Sequence, residues 1–266
     1  MSTLTAGKIV SEGPLLSDSN PDVKPPLQTF SLRPMTLNDI SILAGQSAEA
    51  YWEGPVNQFI HPHAAKYRSD FVRNFHQGIR TRLFNPRTLS LVACKKSDTA
   101  YPVGYAQSTR LGNDEGARAY MSQHSLWTRI YFFVFGWFFW VYDKVVNYVW
   151  PDRSCDVEAT KQFLASLNGD QKTYWKSHPE RSNRWYIASV VISPAYQGQG
   201  LGRMLVTETV KRAQRERVIV GLSASPAGEF LYRKLGFELL GEFTMRIGGE
   251  EGGGIMIRYP EGQERR

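Results

Sequence analysis

Three glycines at alternate positions in Tyr196-Gln197-Gly198-Gln199-Gly200-Leu201-Gly202 constrain this chain more than any other feature. An apolar, β-like run from Trp185 to Ile192 precedes them, and a helix-like run from Leu201 to Arg217 follows. Glycine at 198, 200 and 202 lets the backbone turn tightly and aims successive N–H groups at one point, where the positive end of the following helix dipole also lies. A junction of that kind is an anion site. Taken alone, it is equally an ordinary strand-to-helix turn.

Two nucleotide motifs are excluded by spacing. Arg203 stands where a dinucleotide fingerprint needs its third glycine, and no Gly-Lys-Ser/Thr follows to make a P-loop. With 266 residues, 42% hydrophobic, the chain is long enough to bury a proper core. Its net charge of +7 suits nucleic acid, an anionic membrane or a polyanionic cofactor. No block of five or six consecutive basic residues occurs, Lys95-Lys96, Lys211-Arg212 and Arg265-Arg266 being pairs only, which argues against nucleic acid as a partner. Cys94 and Cys155 are too few for a disulfide framework and lie in no metal-spaced pair, so a reduced, cytoplasmic chain is expected. Residues 1–10 lack the basic start and apolar run of a secretory signal.

Residues 1–27 are rich in Ser, Pro, Gly and Asp without a hydrophobic period, and are expected to be flexible. Residues 28–262 read as one domain interrupted at about 113–183. A first strand is expected over Gln28 to Arg33, then a helix opened by Thr36-Leu-Asn-Asp39, then a second helix from Ala64 to Phe84 whose apolar positions recur every three or four residues. Thr88–Lys95 and Val103–Thr109 read as a hairpin, and Phe237–Arg246 with Ile255–Tyr259 as another. Val218–Ser223 is a further strand, and Glu229–Leu235 a short helix closed by Gly236. The order predicts a mixed α/β (α+β) fold, with strands and helices interleaved and no internal repeat.

Residues 113–183 begin and end with polar, loop-like sequence. Between them, Leu126 to Trp150 holds 12 of the chain's 34 aromatic residues, and Ile130 to Tyr142 carries no charge. The uncharged stretch is shorter than the roughly 20 apolar residues that a bilayer crossing needs. Three readings stay open: a core or subunit-contact helix, a helix lying on a membrane surface, and a lid over an apolar substrate site.

Gln-x-x-Gly-x-Gly at Gln197, Gly200 and Gly202 is preceded by Val191-Ile-Ser-Pro194 and followed by Leu231-Tyr-Arg-Lys-Leu-Gly-Phe237. In these residues the chain resembles the Gcn5-related N-acetyltransferase (GNAT) superfamily. The resemblance is strong over Trp185 to Leu240 and weaker over 28–112, where it rests on element order and on Leu32-Arg-Pro-Met-Thr36. It does not extend to the interrupting segment. It implies the acyl-CoA N-acyltransferase (GNAT) fold, a mostly antiparallel central sheet flanked by helices, with acetyl-CoA as co-substrate and no metal.

The resemblance further implies that the amides of Gln197, Gly198, Gln199, Gly200, Leu201 and Gly202 hold the pyrophosphate. Val190, Val191 and Ile192 would offer backbone groups to the pantetheine, on a strand parted from its neighbour. Arg203 would add positive potential, as would Lys211 and Arg212 unless these two are simply solvated. Tyr232 matches the family's tyrosine that protonates the departing thiolate, a role the chemistry needs because expulsion of sulfur is easier with a neighbouring acid; packing against the cofactor is its other reading. Relatives often carry an asparagine where this chain has Ser223-Ala-Ser225. Ser225 or Ser223 takes over that contact to the pantetheine, or caps the next helix.

Trp185 to Ser193 holds no carboxylate or histidine, so the usual catalytic glutamate is missing and the general base is unassigned. Glu53, His61, His63, His178 and Glu180 are the candidates. His61-Pro-His63 lacks a third ligand at metal spacing. The resulting expectation is an acetyl-CoA-dependent N-acetyltransferase working by direct attack in a ternary complex. A small-molecule primary amine is the first acceptor and a peptide amine the second; a non-catalytic acyl-CoA-binding module is the reading from another class.

Overall fold

The computed structural model describes residues 29–249 and 251–262, so the segment 1–27 expected to be flexible lies outside the described residues. The strands are β1 (Phe30–Pro34), β2 (Thr88–Lys95), β3 (Asp98–Leu111), β4 (Arg184–Ile192), β5 (Ile219–Ala224), β6 (Glu238–Gly241) and β7 (Gly254–Arg258). They form one sheet in the order β1-β2-β3-β4-β5-β7-β6. Every neighbouring pair is antiparallel except β4 with β5. The mixed, mostly antiparallel sheet expected from the sequence is therefore present.

The helices are α1 (Ile40–Ala50), α2 (Pro55–Ile60), α3 (Arg68–Leu83), α4 (Glu115–Ser122), α5 (Leu126–Val149), α6 (Val157–Asp170), α7 (Leu201–Glu216) and α8 (Pro226–Lys234). The start signal at Thr36 works as read. The Asp39 carboxylate accepts from the Thr36 amide at 2.7 Å and hydroxyl at 2.9 Å, capping a single 3-10 turn that leads into α1. The second helix starts four residues later than its periodicity suggested, because 61–67 close as turns, with Ala64 N donating to His61 O and Tyr67 N to His63 O. Gly236 ends α8 in a left-handed conformation (φ 79°), and Phe237 N donates back to Tyr232 O.

Two faces are covered. On one, α7 and α8 pack Val206 and Tyr232 against Trp185, Ile187 and Leu222, and α7 packs Leu201 and Leu205 against Ala93, Val103 and Ala106. On the other, α1 and α3 pack Ile40, Leu43 and Ile79 against Val92, Tyr105 and Val191. A register shift in β4 sets which residues look where. Ser108 pairs with Ile187 but Gln107 with Ser189, so Ala188 is an extra residue and the strand's alternation reverses there. Before it Trp185 and Ile187 face α7; after it Val190 and Ile192 do, and Ser189 and Val191 turn toward α1.

The segment 113–183 is not polar loop around a single run. Asp114 and Asp156 each accept from the amide three residues on, Ala117 N at 3.2 Å and Ala159 N at 2.8 Å, and so open α4 and α6. Its two ends belong to the core. Tyr120 meets Trp185 edge to face at 5.1 Å, and Trp175 lies under β5 and β7 against Ile219, Ile255 and Ile257. The absence of a side chain at Gly221 is what lets the Trp175 indole in.

Between these ends, α5 lies on the outer side of α3. Val141 apart, its least exposed residues, Thr128, Phe132, Gly136, Phe139, Asp143 and Val146, recur every three or four positions. Phe84 stacks among Tyr131, Phe135 and Phe139, while Arg80 ion-pairs with Asp143 and covers the Phe139 ring at 4.5 Å. No residue of α5 is buried, which excludes a core helix. No helix of the described residues is long and apolar enough to cross a membrane.

Candidate functional site

The strands β4 and β5 share only four register pairs, the last being Ile187 with Leu222. From the bulge at Ala188 to Ile192, β4 pairs with β3 alone, leaving its other edge open toward the end of β5. Backbone groups left so are costly unless something supplies partners. The glycine-rich loop closes this gap at the far end of β4, and α8 follows from the end of β5.

Of the three glycines, Gly198 (φ 71°) and Gly200 (φ 83°) take left-handed conformations, and Gly200 is the residue preceding α7. Gly202 has another role than turning. It sits in the first turn of α7, where a β-carbon would come within 3.1 Å of Leu231, so its bareness lets α7 approach α8. Gln197 N donates to Pro194 O and Met204 N to Gly200 O, and the amides of 198–203 between them have no acceptor among the described residues. Six free amides at a helix N-terminus make a site for an anion. The Gln197 amide is thus committed to its own turn. Its side chain instead donates to Ile192 O at 3.1 Å, tying the loop to the end of β4.

Arg203 is exposed in the first turn of α7. Lys211 and Arg212 are two to three turns further along, on the order of 15 Å down the axis. Lys211 pairs with Glu208 at 3.1 Å, and Arg212 lies beside Tyr120, so neither serves the loop. Ser225 Oγ accepts from Gly228 N at 3.2 Å and caps α8, while Ser223 Oγ is engaged with the Tyr186 hydroxyl at 3.0 Å. The capping reading of Ser225 is therefore the one the geometry displays.

Tyr232 is 8% exposed, meets Phe237 edge to face at 5.6 Å, and is pushed up to about 12 by burial alone. It is close enough to Tyr51, at the end of α1 on the opposite side of the sheet, to raise that phenol further, after burial and Tyr105. Ser189, the first β4 residue past the bulge, donates to the Tyr105 hydroxyl at 3.2 Å and lies near Tyr51. Tyr105 in turn lies 3.1 Å from Ser47 Oγ, which donates to Leu43 O at 2.7 Å. Tyr51, Tyr105, Ser47 and Ser189 escaped the sequence reading because two hydroxylated aromatics and two serines spread over three elements make no motif.

None of the expected bases belongs to this group. His61 contacts Ser154 at 3.0 Å and Phe71 edge to face, joining α2 to the segment after α5; burial lowers its pKa despite Asp152. His63 and Glu53 are exposed. His178 pairs with Glu180 at 3.0 Å before the start of β4, the end of the strand away from the loop. Nor does α5 roof the gap: its ring contacts and ion pairs run to α3, Phe84 and His124, and none reaches β4, the loop or Tyr232.

Residues 137–239 match a family model described as an acetyltransferase (GNAT) domain, a span that runs from the middle of α5 through α8. No curated protein matches the sequence. Among solved structures, the chain is similar to one described as histone acetyltransferase HPA2 and related acetyltransferase from Corynebacterium glutamicum, with 18% identity and a TM-score of 0.56 over 87% of this chain and 97% of that one. Lower scores, which carry no weight here, are found for PH1933 from Pyrococcus horikoshii (11% identity, TM-score 0.49, 86% and 98% covered) and the PaiA N-acetyltransferase of Thermoplasma acidophilum in complex with coenzyme A (10%, 0.44, 86% and 98%). Part of the chain thus matches a GNAT acetyltransferase domain model, and the similarity to the Corynebacterium structure shows a shared fold.

Proposed function

We propose that this chain transfers an acetyl group from acetyl-CoA to a primary amine by direct attack in a ternary complex. The observation that carries the reading is the parting of β4 from β5 after Ile187 and Leu222, with six unbonded amides at one end of the open edge. An extended amide-containing chain laid along 188–192 would supply the missing partners, and a pyrophosphate would receive the amides of 198–203 together with the dipole of α7. The residues fit a CoA molecule in that position.

In this reading Val190, Val191 and Ile192 hold the pantetheine by backbone groups, while Gly198, Gln199, Gly200, Leu201, Gly202 and Arg203 hold the phosphates. Gln197 acts through its side chain, fixing the loop to β4. Tyr232 keeps its proton through neutral pH and offers it to the sulfur as the carbon–sulfur bond breaks. Passing a proton from a phenol at about 12 to a thiolate near 8.5 is uphill by about 5 kcal/mol. The same desolvation that raises the phenol raises the sulfur's proton affinity, which narrows that mismatch inside the gap. The amine nitrogen forms its bond to the carbonyl carbon and loses its own proton to water. The free cysteines, Cys94 buried and Cys155 half-buried, suit a cytoplasmic location and leave a covalent acetyl-enzyme without a nucleophile at the gap.

A lid formed by α5 over the gap would favour a small amine, and α5 lies elsewhere. An open gap favours the second acceptor, a peptide amine, as much as the first. Calorimetry with acetyl-CoA tests the donor: micromolar binding is expected, and its absence from the intact protein overturns the reading. A screen for release of CoA thiol with small amines, polyamines and peptides then assigns the acceptor class.

A further inference from the structure

Most of the large apolar side chains exposed among the described residues lie on α5. Trp127 is 78% exposed, Phe133 76%, Trp137 61%, Trp140 59% and Tyr148 90%. Single exposed rings need no explanation, but a contiguous band of them along a helix about 36 Å long marks a surface that something covers. The inner stripe from Thr128 to Val146 already binds α3, so these rings are not waiting for another part of the described chain.

Charge on the same helix narrows what the cover is. Its only carboxylate, Asp143, is taken by Arg80 on the inner side. Arg129 and Lys144 are exposed and have no acidic partner among the described residues, and Lys144 lies over the Trp140 ring at 5.9 Å. At the N-terminal end Arg129 borders a hollow that Arg87 and Arg118 also line, with Met121 and Ser122. A second copy meeting this face through its own would bring cation to cation and no carboxylate to either. A bilayer surface containing anionic lipid offers both apolar depth for the rings and phosphate or carboxylate groups for the cations. Tryptophan and tyrosine, apolar rings with one polar tip, are the side chains suited to that boundary.

We propose that α5 lies in the plane of an anionic lipid surface, burying Trp127, Phe133, Trp137, Trp140 and Tyr148 among the acyl chains, with Arg129 and Lys144 at the headgroups. The inference stands apart from acetyl transfer, since no residue of the β4 gap takes part in it.

The test is sedimentation of the full chain with vesicles of phosphatidylcholine alone and with about 30% phosphatidylserine added. The chain is expected to sediment with the anionic vesicles, with a blue shift of tryptophan emission, and to bind them at least tenfold more weakly at high salt. Phe133→Ser with Trp137→Ser is expected to weaken binding to anionic vesicles tenfold or more. Arg129→Glu with Lys144→Glu removes the preference for anionic over neutral vesicles. These positions are on the surface, and unchanged far-UV circular dichroism shows that each variant is folded. Failure of the wild-type chain to sediment with either vesicle overturns the proposal. So does a dimer in solution that the Phe133 and Trp137 changes dissociate while vesicle binding stays as it was.

Discussion

The Ser189 hydroxyl donates to the Tyr105 hydroxyl at 3.2 Å, one residue beyond the bulge at which β4 leaves β5. Because Ser47 spends its proton on Leu43 O, the Tyr105 proton must go to Ser47, and the direction of the whole chain is fixed. It ends on a peptide carbonyl, which takes up no proton at accessible pH. The chain therefore positions Ser189 and does not serve as a base. Tyr105→Phe leaves the Ser189 donor without its acceptor and Ser47 with an unfilled one, at a cost of about 1–3 kcal/mol. Urea unfolding is expected to show that loss, with the CoA affinity changed by less than a few fold.

Tyr232→Phe removes a proton donor and almost no volume. A fall in kcat of about a hundredfold is expected, with KM for acetyl-CoA near the wild-type value, since general acid catalysis is worth 10² or more. The phenol is pushed up to about 12 by burial, so its titration does not limit the wild-type rate up to pH 10. An alkaline limb below pH 10 that is lost in the phenylalanine variant would show the phenol titrating lower than its burial implies, whereas an unchanged kcat in that variant would contradict its role as the acid.

Gly200→Ala separates the loop from the rest of the fold. A β-carbon at φ 83° costs about 1–2 kcal/mol of local strain, and the chain relieves it by turning the amides of 198–203 away from their common point. Affinity for acetyl-CoA is expected to drop tenfold or more by calorimetry. Gly202→Ala is expected to fail differently, through Leu231 and the seating of α8, and so to lower kcat through Tyr232.

What was legible in the sequence was what a local pattern encodes. The strand before Gly198, the helix after it, the Thr36–Asp39 cap and the Gly236 stop are each written within a few adjacent residues, and each appears where it was read. The start of α3 was misplaced because apolar spacing continues through 64–67 although His61 and His63 carbonyls hold those residues in turns. The helices α4 and α6 were missed although Asp114 and Asp156 marked them, because polar composition was taken for loop. The bulge at Ala188 and the hydrogen bond from Ser189 to Tyr105 depend on pairing between distant strands and carry no local signal. The same holds for α5, whose apolar run says that it must be covered but not that Phe84 and Arg80 hold it outside α3.

Acid is expected to loosen the β1–α1 junction early. Burial favours the neutral form of Asp39, but hydrogen bonds from Arg33 at 2.7 Å and from Thr36 outweigh it and hold the carboxyl below its ordinary value. A carboxyl depressed in the folded state contributes stability above its unfolded pKa, near 3.9, that is lost as pH falls through the lower folded value. Unfolding free energy should therefore decline below about pH 4 in the wild type, and Asp39→Asn should flatten that decline while lowering stability at pH 7.

The attachment of α5 rests on an ion pair that is cheap to keep and costly to halve. Arg80 is mostly buried, with its guanidinium over Phe139 at 4.5 Å and Tyr142 at 5.3 Å, so it has no access to water when Asp143 is gone. Asp143→Ala strands that cation and is expected to cost about 3 kcal/mol, whereas Arg80→Met with Asp143→Leu, which replaces both charges by apolar groups, should come within about 1 kcal/mol of the wild type. Because α5 touches α3 and not the β4 gap, the stranded cation is expected to free α5 without unfolding the sheet. Hydrogen exchange should then rise over 126–150 while β4 and α7 keep their protection. Equal loss of protection in β4 would mean that α5 and the sheet unfold as one unit.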